Sequence, residues 1–148
     1  MRAVIQRVKY ATLKVDGELI SEINQGFLVL LGVKVGDGEE EVVKIARKIS
    51  GMRIFEDENE KMNLSLKDIG GEILLVSQFT LYADCKHGNR PGFTDAERPE
   101  KANELYLKVI KYLEDDGQVV KTGVFGADMK IEYLNDGPIT IILDTEDL

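Results

Sequence analysis

The chain has one cysteine, one histidine, three prolines and no tryptophan among its 148 residues. A lone cysteine, Cys85, forms no internal disulfide, and a domain of this length buries enough surface to need none. No apolar run approaches the roughly 20 residues of a membrane span. The opening MRAVIQRVKY is too short an apolar stretch for a secretory signal, so a reducing cytoplasm is expected. Cys85 and His87 are the whole supply of thiol and imidazole. A Cys-x-His pair without further ligands is poor zinc spacing, so neither a metal nor a cofactor is expected. Basic residues are also short, 19 against 27 acidic, for a net charge of −8. Such a surface repels a phosphate backbone and excludes extensive non-specific binding of nucleic acid, DNA included. Any RNA contact must be local.

What is present reads as one domain, 1–148, without repeat or linker. Ala3 to Val8 and Thr12 to Val15 are rich in β-branched residues, and Asp16-Gly17 is a two-residue hairpin signal before a strand at Glu18 to Ile23. Gly26 to Val35 is a continuous apolar run bounded by glycines, predicting a buried strand. Helical spacing of Val42, Val43, Ile45, Ala46 and Ile49 predicts a helix from Glu39 to Ser50, with Asp37 as its cap and Gly51 as its stop. A short strand at Met52 to Phe55 leads into a solvated acidic loop, Glu56 to Lys61. Glu72 to Leu81 reads as a second buried strand. Ala83 to Pro99, with Arg90-Pro91-Gly92 and Arg98-Pro99, is the longest irregular segment and the expected binding loop. A second helix runs from Glu100 to Glu114, its apolar face Ala102, Leu105, Tyr106, Val109, Ile110 and Leu113. Gln118 to Thr122, Met129 to Leu134 and Ile139 to Asp144 read as three further strands. Many strands with two main helices and no regular alternation predict an α+β fold with mixed or antiparallel sheets.

Two segments stand out chemically. In Ser77-Gln78-Phe79-Thr80-Leu81 a buried strand ends in polar side chains, and strand alternation puts Gln78 and Thr80 on one face and Ser77, Phe79 and Leu81 on the other. A site and a plain strand end whose hydroxyls cap nearby backbone both fit that pattern. Asn135-Asp136-Gly137-Pro138-Ile139-Thr140 is a turn composition running into a strand, with proline where it removes no ladder hydrogen bond. Arg7, within an apolar strand, either fixes a carbonyl or carboxylate or extends to solvent.

The opening MRAVIQRV, Ser77 to Leu81, the loop His87-Gly88-Asn89-Arg90-Pro91-Gly92-Phe93 and the Asn135 to Thr140 turn together closely resemble the D-aminoacyl-tRNA deacylase family, over essentially the whole chain. Ile139 stands where that family usually has valine. The resemblance implies a barrel-like core and a homodimer with active sites at its interface. It implies that Gly137-Pro138, in the cis form, projects into the partner's pocket and excludes L side chains by collision. Ser77, Gln78 and Leu81 would line that pocket with Phe79 and Thr80 between them, Arg7 would steady the turn, and Met129 would border the pocket. Glycine, having no side chain to exclude, would leak through, so glycyl-tRNA mischarged on alanine tRNA is an expected second substrate. Two mechanisms stay open. In one, Thr80 attacks the ester; in the other, the terminal ribose 2′-OH activates water while backbone N–H groups near Phe79 and Thr80 hold the oxyanion. Contact with the tRNA 3′ end would fall to a few cations such as Lys86, Arg90 and Lys121. The contending readings are a non-catalytic tRNA-binding or nucleic-acid-binding module of the same fold, an editing domain of a synthetase, and a small-ligand-binding dimer.

Overall fold

A computed structural model describes residues 1–148 and centres on one strand, β1 (Arg2–Val15), that is hydrogen-bonded along both edges. On one edge its first half pairs antiparallel with β3 (Gly26–Gly32) and its second half with β2 (Glu18–Ile23). Along the other edge lies β8 (Lys130–Asp144), also antiparallel. Beyond β3, two parallel neighbours follow, β6 (Glu72–Ser77) and β7 (Val119–Thr122), giving the order β2-β1-β3-β6-β7. At the far side the Ser21 hydroxyl of β2 donates to the Thr122 carbonyl of β7, so the mixed sheet nearly closes on itself. The α+β, barrel-like architecture expected from the sequence is the one observed.

The sheet is covered on both faces, which explains its unbroken apolar runs. Phe27, Val29, Leu31, Ile73 and Leu75 pack under α1 (Glu39–Gly51) and α3 (Pro99–Asp115). Their alternates Leu28, Leu74 and Val76 face the inside of the curled sheet with Val8, Ala11 and Leu13. The hydroxyl of Tyr106, on the buried face of α3, donates to the Leu75 carbonyl at 2.6 Å, and burial pushes its phenol up to about 12. Gly26 lies so near β6 that an added Cβ would sit 1.8 Å from the Glu72 carbonyl oxygen.

Irregularities in β1 do specific work. Val8 opposes Asn135 and Ala11 opposes Tyr133, so β1 carries one residue more than its partner across Lys9-Tyr10. This bulge switches the inward set from even to odd positions and lets Val8, Ala11 and Leu13 share one core. It also accounts for the break that the sequence shows between Val8 and Thr12. Earlier in β1, Gln6 opposes Thr140 while Val8 opposes Asn135, so four residues, Asp136 to Ile139, loop out opposite Arg7. The two strands expected at Met129 to Leu134 and Ile139 to Asp144 are thus one strand with an outpocketing. The Gly137-Pro138 bond within it is cis. Asn135 Oδ1 closes the loop by accepting from the Ile139 N–H at 2.9 Å. Arg7, only 5% exposed, lies behind it: Nε donates to the Asp136 carbonyl at 3.1 Å and Nη1 to the Ile54 carbonyl at 2.8 Å.

Several local expectations need correction. Asp37 does not cap α1: Gly38 holds that position, with the Glu41 carboxylate accepting its N–H at 2.8 Å, which holds the Glu41 carboxyl below its usual range. Asp37 instead sits 2.8 Å from the Met1 ammonium, and Gly51 is the last residue of α1 rather than a stop outside it. The strand expected at Met52 to Phe55 is displaced to β4 (Phe55–Glu56), which pairs with β5 (Met62–Leu64) across the acidic loop. A single helical turn, α2 (Leu66–Ile69), capped by Ser65 and Asp68, is too short to leave a periodic signal. The strand predicted to Val35 ends at Gly32, and that predicted to Leu81 ends at Ser77.

Two measurements test these packing arguments. Gly26→Ala, which forces β3 and β6 apart, is expected to lose at least about 3 kcal/mol in urea unfolding or to fail to fold; native-like stability would mean that the ladder can shift. Arg7→Lys retains the charge but not the fork that bridges two carbonyls, and is expected to lose about 2 kcal/mol. An unchanged unfolding midpoint would show that the bridge contributes nothing.

Candidate active site

The parallel strands β3 and β6 deliver their carboxyl ends to the same side, where open sheets tend to bind ligands. Beyond Ser77 the chain stops being a strand and tightens into a 3-10 turn, Phe79–Tyr82. A cleft of about 670 Å³ opens there, its floor Val33 and Val76 and one wall Ser77, Gln78 and Phe79. The loop before α3 supplies Phe93, Glu97 and Arg98, the first turn of α3 supplies Pro99 and Ala102, and Phe125 to Met129 complete the wall. Phe79, 56% exposed, meets Phe93 edge-on with ring centroids 5.0 Å apart, which ties the turn to the loop.

The turn overturns the strand-face argument for Gln78 and Thr80. Alternation does not apply beyond Ser77, yet the turn still joins the pair, because Gln78 Nε2 donates to Thr80 Oγ1. A hydroxyl that accepts from an amide is not being deprotonated by it, and no carboxylate or imidazole hydrogen-bonds to Thr80. The backbone of the turn is anchored by the Gln78 N–H on the Leu31 carbonyl at 2.8 Å, while the Leu81 N–H closes onto the Gln78 carbonyl at 3.3 Å. The N–H groups of Phe79 and Thr80, heading the turn, have no partner within it. From behind, Arg2 Nη1 donates to the Leu81 carbonyl at 2.8 Å, and its guanidinium carbon lies 4.8 Å from the centre of the Tyr82 ring. Burial, reinforced by Asp144 and Asp37, pushes the Tyr82 phenol well above its ordinary range.

Of the residues singled out in the sequence, Ser77, Gln78, Phe79 and Met129 line the cleft together. Thr80 is exposed and Leu81 half-buried just beyond them, and neither lines it. Arg7, Gly137 and Pro138 form a second group at the β8 outpocketing, outside the cleft lining. Cys85, Lys86, His87, Arg90 and Lys121 are exposed and do not line the cleft either. The expected binding loop, 83–99, does line the cleft, but sequence reasoning did not single out Glu97 and Arg98 within it, and it missed Phe125 and Asp128. The Arg98-Pro99 helix start is a usable signal for the first pair. Phe125 and Asp128 lie in an irregular stretch that carries no motif. The Glu97 side chain is only 10% exposed, with Lys101 at 3.8 Å, so the cleft carries two carboxylates and one guanidinium. No group of three His, Cys, Asp or Glu side chains is placed to hold a metal ion, and no helix is long and apolar enough to cross a membrane.

Comparison with known proteins gives this geometry a family. A protein of Dictyoglomus turgidum named D-aminoacyl-tRNA deacylase is 58% identical over 148 residues, covering 100% of this chain and 95% of that protein. A solved structure named c-Myc DNA Unwinding Element Binding Protein superposes with a TM-score of 0.92 at 42% identity, covering 98% of this chain and 99% of that one. Another, described as a probable eukaryotic D-amino acid tRNA deacylase, shares the fold with a TM-score of 0.80 at 17% identity, over 96% of this chain and 97% of that one. The sequence profile described as D-Tyr-tRNA(Tyr) deacylase matches residues 4–144, and the chain belongs to that family.

Proposed function

We propose that this protein hydrolyses the ester of D-aminoacyl-tRNA, releasing the free D-amino acid and tRNA, and spares L-aminoacyl-tRNA. The observation that carries this reading is the cleft at the end of β6, where Ser77, Gln78 and Phe79 lead into a turn headed by two N–H groups without a partner in it. An aminoacyl ester is labile, so orientation and oxyanion stabilisation suffice where no strong base is at hand. In this mechanism the Phe79 and Thr80 N–H groups hold the developing oxyanion, and the terminal ribose 2′-OH activates the water. The water oxygen bonds to the carbonyl carbon, the bond to the 3′-oxygen breaks, and the water's proton passes through the 2′-OH to that leaving oxygen. Gln78 donating to Thr80 fits a positioning role for this pair rather than a covalent one.

The finer part of the proposal is a homodimer in which Gly137 and Pro138 of one copy enter the other's cleft and exclude L side chains. Its support is the exposure of the turn, its absence from its own chain's cleft, and Arg7 locking it from behind. The outer edge of β8 has no strand beyond it, and Tyr133, Leu134 and Ile142 are exposed along that strand. A second copy would cover such an edge. Exclusion of this kind tolerates many D side chains and lets glycine through. The tRNA would be held near its 3′ end, in the cytoplasm. A second reading, nucleic-acid binding without turnover, is favoured by the name of one solved relative and opposed by the net charge of −8.

Matched D-tyrosyl-, L-tyrosyl- and glycyl-tRNA separate these readings. The D ester is expected to be released rapidly in the presence of chelator, the glycyl ester more slowly, and the L ester left intact. No release from the D ester by the folded protein would move the assignment to a binding module. Thr80→Ala is expected to keep kcat within about tenfold of the parent, whereas a loss of about 10⁴ or more would make Thr80 the nucleophile.

A further inference from the structure

A second concavity, polar where the first is largely apolar, lies where α1 and α3 end. It has a volume of about 430 Å³ and is lined by Arg47 just before the last turn of α1, Arg53 just after the helix, Lys67 of α2, and Tyr112 and Asp116 at the end of α3, with Ser50 and Asp68 between them. Three cations face one notch in a chain whose net charge is −8. The carboxylates there are engaged by the fold. Asp68 accepts from the Ser65 N–H at 2.8 Å and from its hydroxyl at 3.0 Å, and Asp116 accepts from the Ser50 hydroxyl. Both are held below the usual aspartate range, Asp68 first by the Ser65 backbone and Asp116 first by Ser50.

The two arginines are less committed. Arg47 has neither an ion pair nor a hydrogen bond, and it is exposed. Arg53 uses Nε and Nη2 on Asn63, leaving Nη1 free. Lys67 stands 3.4 Å from Asp116. Two guanidinium groups with unused donors beside an ammonium group match a phosphodiester, whose oxygens accept from such forks. The active-site cleft is lined by the other end of the same helix, at Pro99 and Ala102. At about 1.5 Å per residue, the two ends of α3 are roughly 15–25 Å apart. A stacked strand advances about 3.4 Å per nucleotide, so this spans about four to seven nucleotides.

We propose that the Arg47, Arg53 and Lys67 notch binds the phosphodiester backbone of the tRNA acceptor strand whose 3′ end occupies the active-site cleft. The proposal rests on the deacylase reading for what fills the cleft. It supplies the local cationic contact that an acidic protein needs to hold a polyanion, at a place other than the Lys86, Arg90 and Lys121 expected from the sequence.

The test compares full-length D-tyrosyl-tRNA with 3′-O-D-tyrosyl-adenosine, which ends at the cleft, using the Arg47→Gln/Arg53→Gln double variant and Lys14→Gln as a charge control. Expected is a rise of about tenfold in KM for the tRNA substrate with kcat retained, and a tRNA-to-adenosine ratio of kcat/KM lowered by the same factor. The dependence of log(kcat/KM) on log salt should flatten by about 2, close to one for each guanidinium removed. Equal losses on both substrates would make the arginines structural, and unchanged kinetics and salt slope would overturn the site. Binding of uncharged tRNA gives an answer independent of turnover. If the parent protein releases D-tyrosine from neither substrate, the deacylase reading fails. The notch then stands on a tenfold weaker, less salt-dependent binding of tRNA by the variant and falls without it.

Discussion

Everything in this fold is referred to one strand that has no free edge. Because β1 is paired on both sides, each departure from regular pairing must be absorbed by a neighbour, and the two departures along β8 are productive. The bulge at Lys9-Tyr10 turns the second half of the strand so that Ala11 and Leu13 join Val8 inside the curled sheet. The outpocketing of β8 opposite Arg7 pushes Gly137 and Pro138 into solvent while their flanks stay in register. Arg7 makes the second departure tolerable. A buried guanidinium without acceptors would be costly, and a looped-out strand leaves carbonyls without ladder partners; Arg7 serves the Asp136 carbonyl of the loop and finds its second acceptor at Ile54.

The cleft follows from a different constraint, the burial of β3 and β6 on both faces. With helices over one face and the curled sheet behind the other, these strands have no solvated side, and the first place where polar side chains are accommodated is past their carboxyl ends. Ser77 and Gln78 come at that point. The change from strand to 3-10 turn there reorients the backbone so that N–H groups, not only side chains, are presented. A chemistry that relies on backbone donors needs such a rigid mount, and Arg2 on the Leu81 carbonyl with Gln78 on the Leu31 carbonyl provide it from two sides.

The sequence made legible what depends on period and composition. The faces of α1 and α3, the apolar runs of β3 and β6 and the Asp16-Gly17 hairpin, both residues at positive φ, all appear where the pattern put them. What it hid depends on long-range geometry. Gln78 and Thr80 do meet, but through a turn that a strand pattern could not announce. Asp37 has the chemistry of a cap and is drawn away by the Met1 ammonium, which the antiparallel pairing of Arg2 with Gly32 brings beside it. The Asn135 to Thr140 segment reads as a break between strands because a loop of four residues inside one strand has the composition of a turn. Phe125 and Asp128 carry no motif and reach the cleft only because the segment after β7 folds over it.

Charge then limits how such a site can meet its substrate. A surface of net charge −8 repels RNA at distances comparable with the Debye length, so it contributes nothing to steering and makes non-specific capture weak. On the deacylase reading, affinity must come from short-range contacts along the acceptor strand, whose phosphodiester backbone is alike in every tRNA. On the deacylase reading, selection is thereby moved away from the identity of the tRNA and onto the α-carbon of its ester, where a collision can decide. Exclusion by collision needs no dedicated pocket for each side chain, so one cleft of about 670 Å³ can serve many D-amino acids. On the proposed reading it would also set the direction of error: what has no side chain could not be refused, and accuracy would rest on how firmly the proposed excluding turn is held.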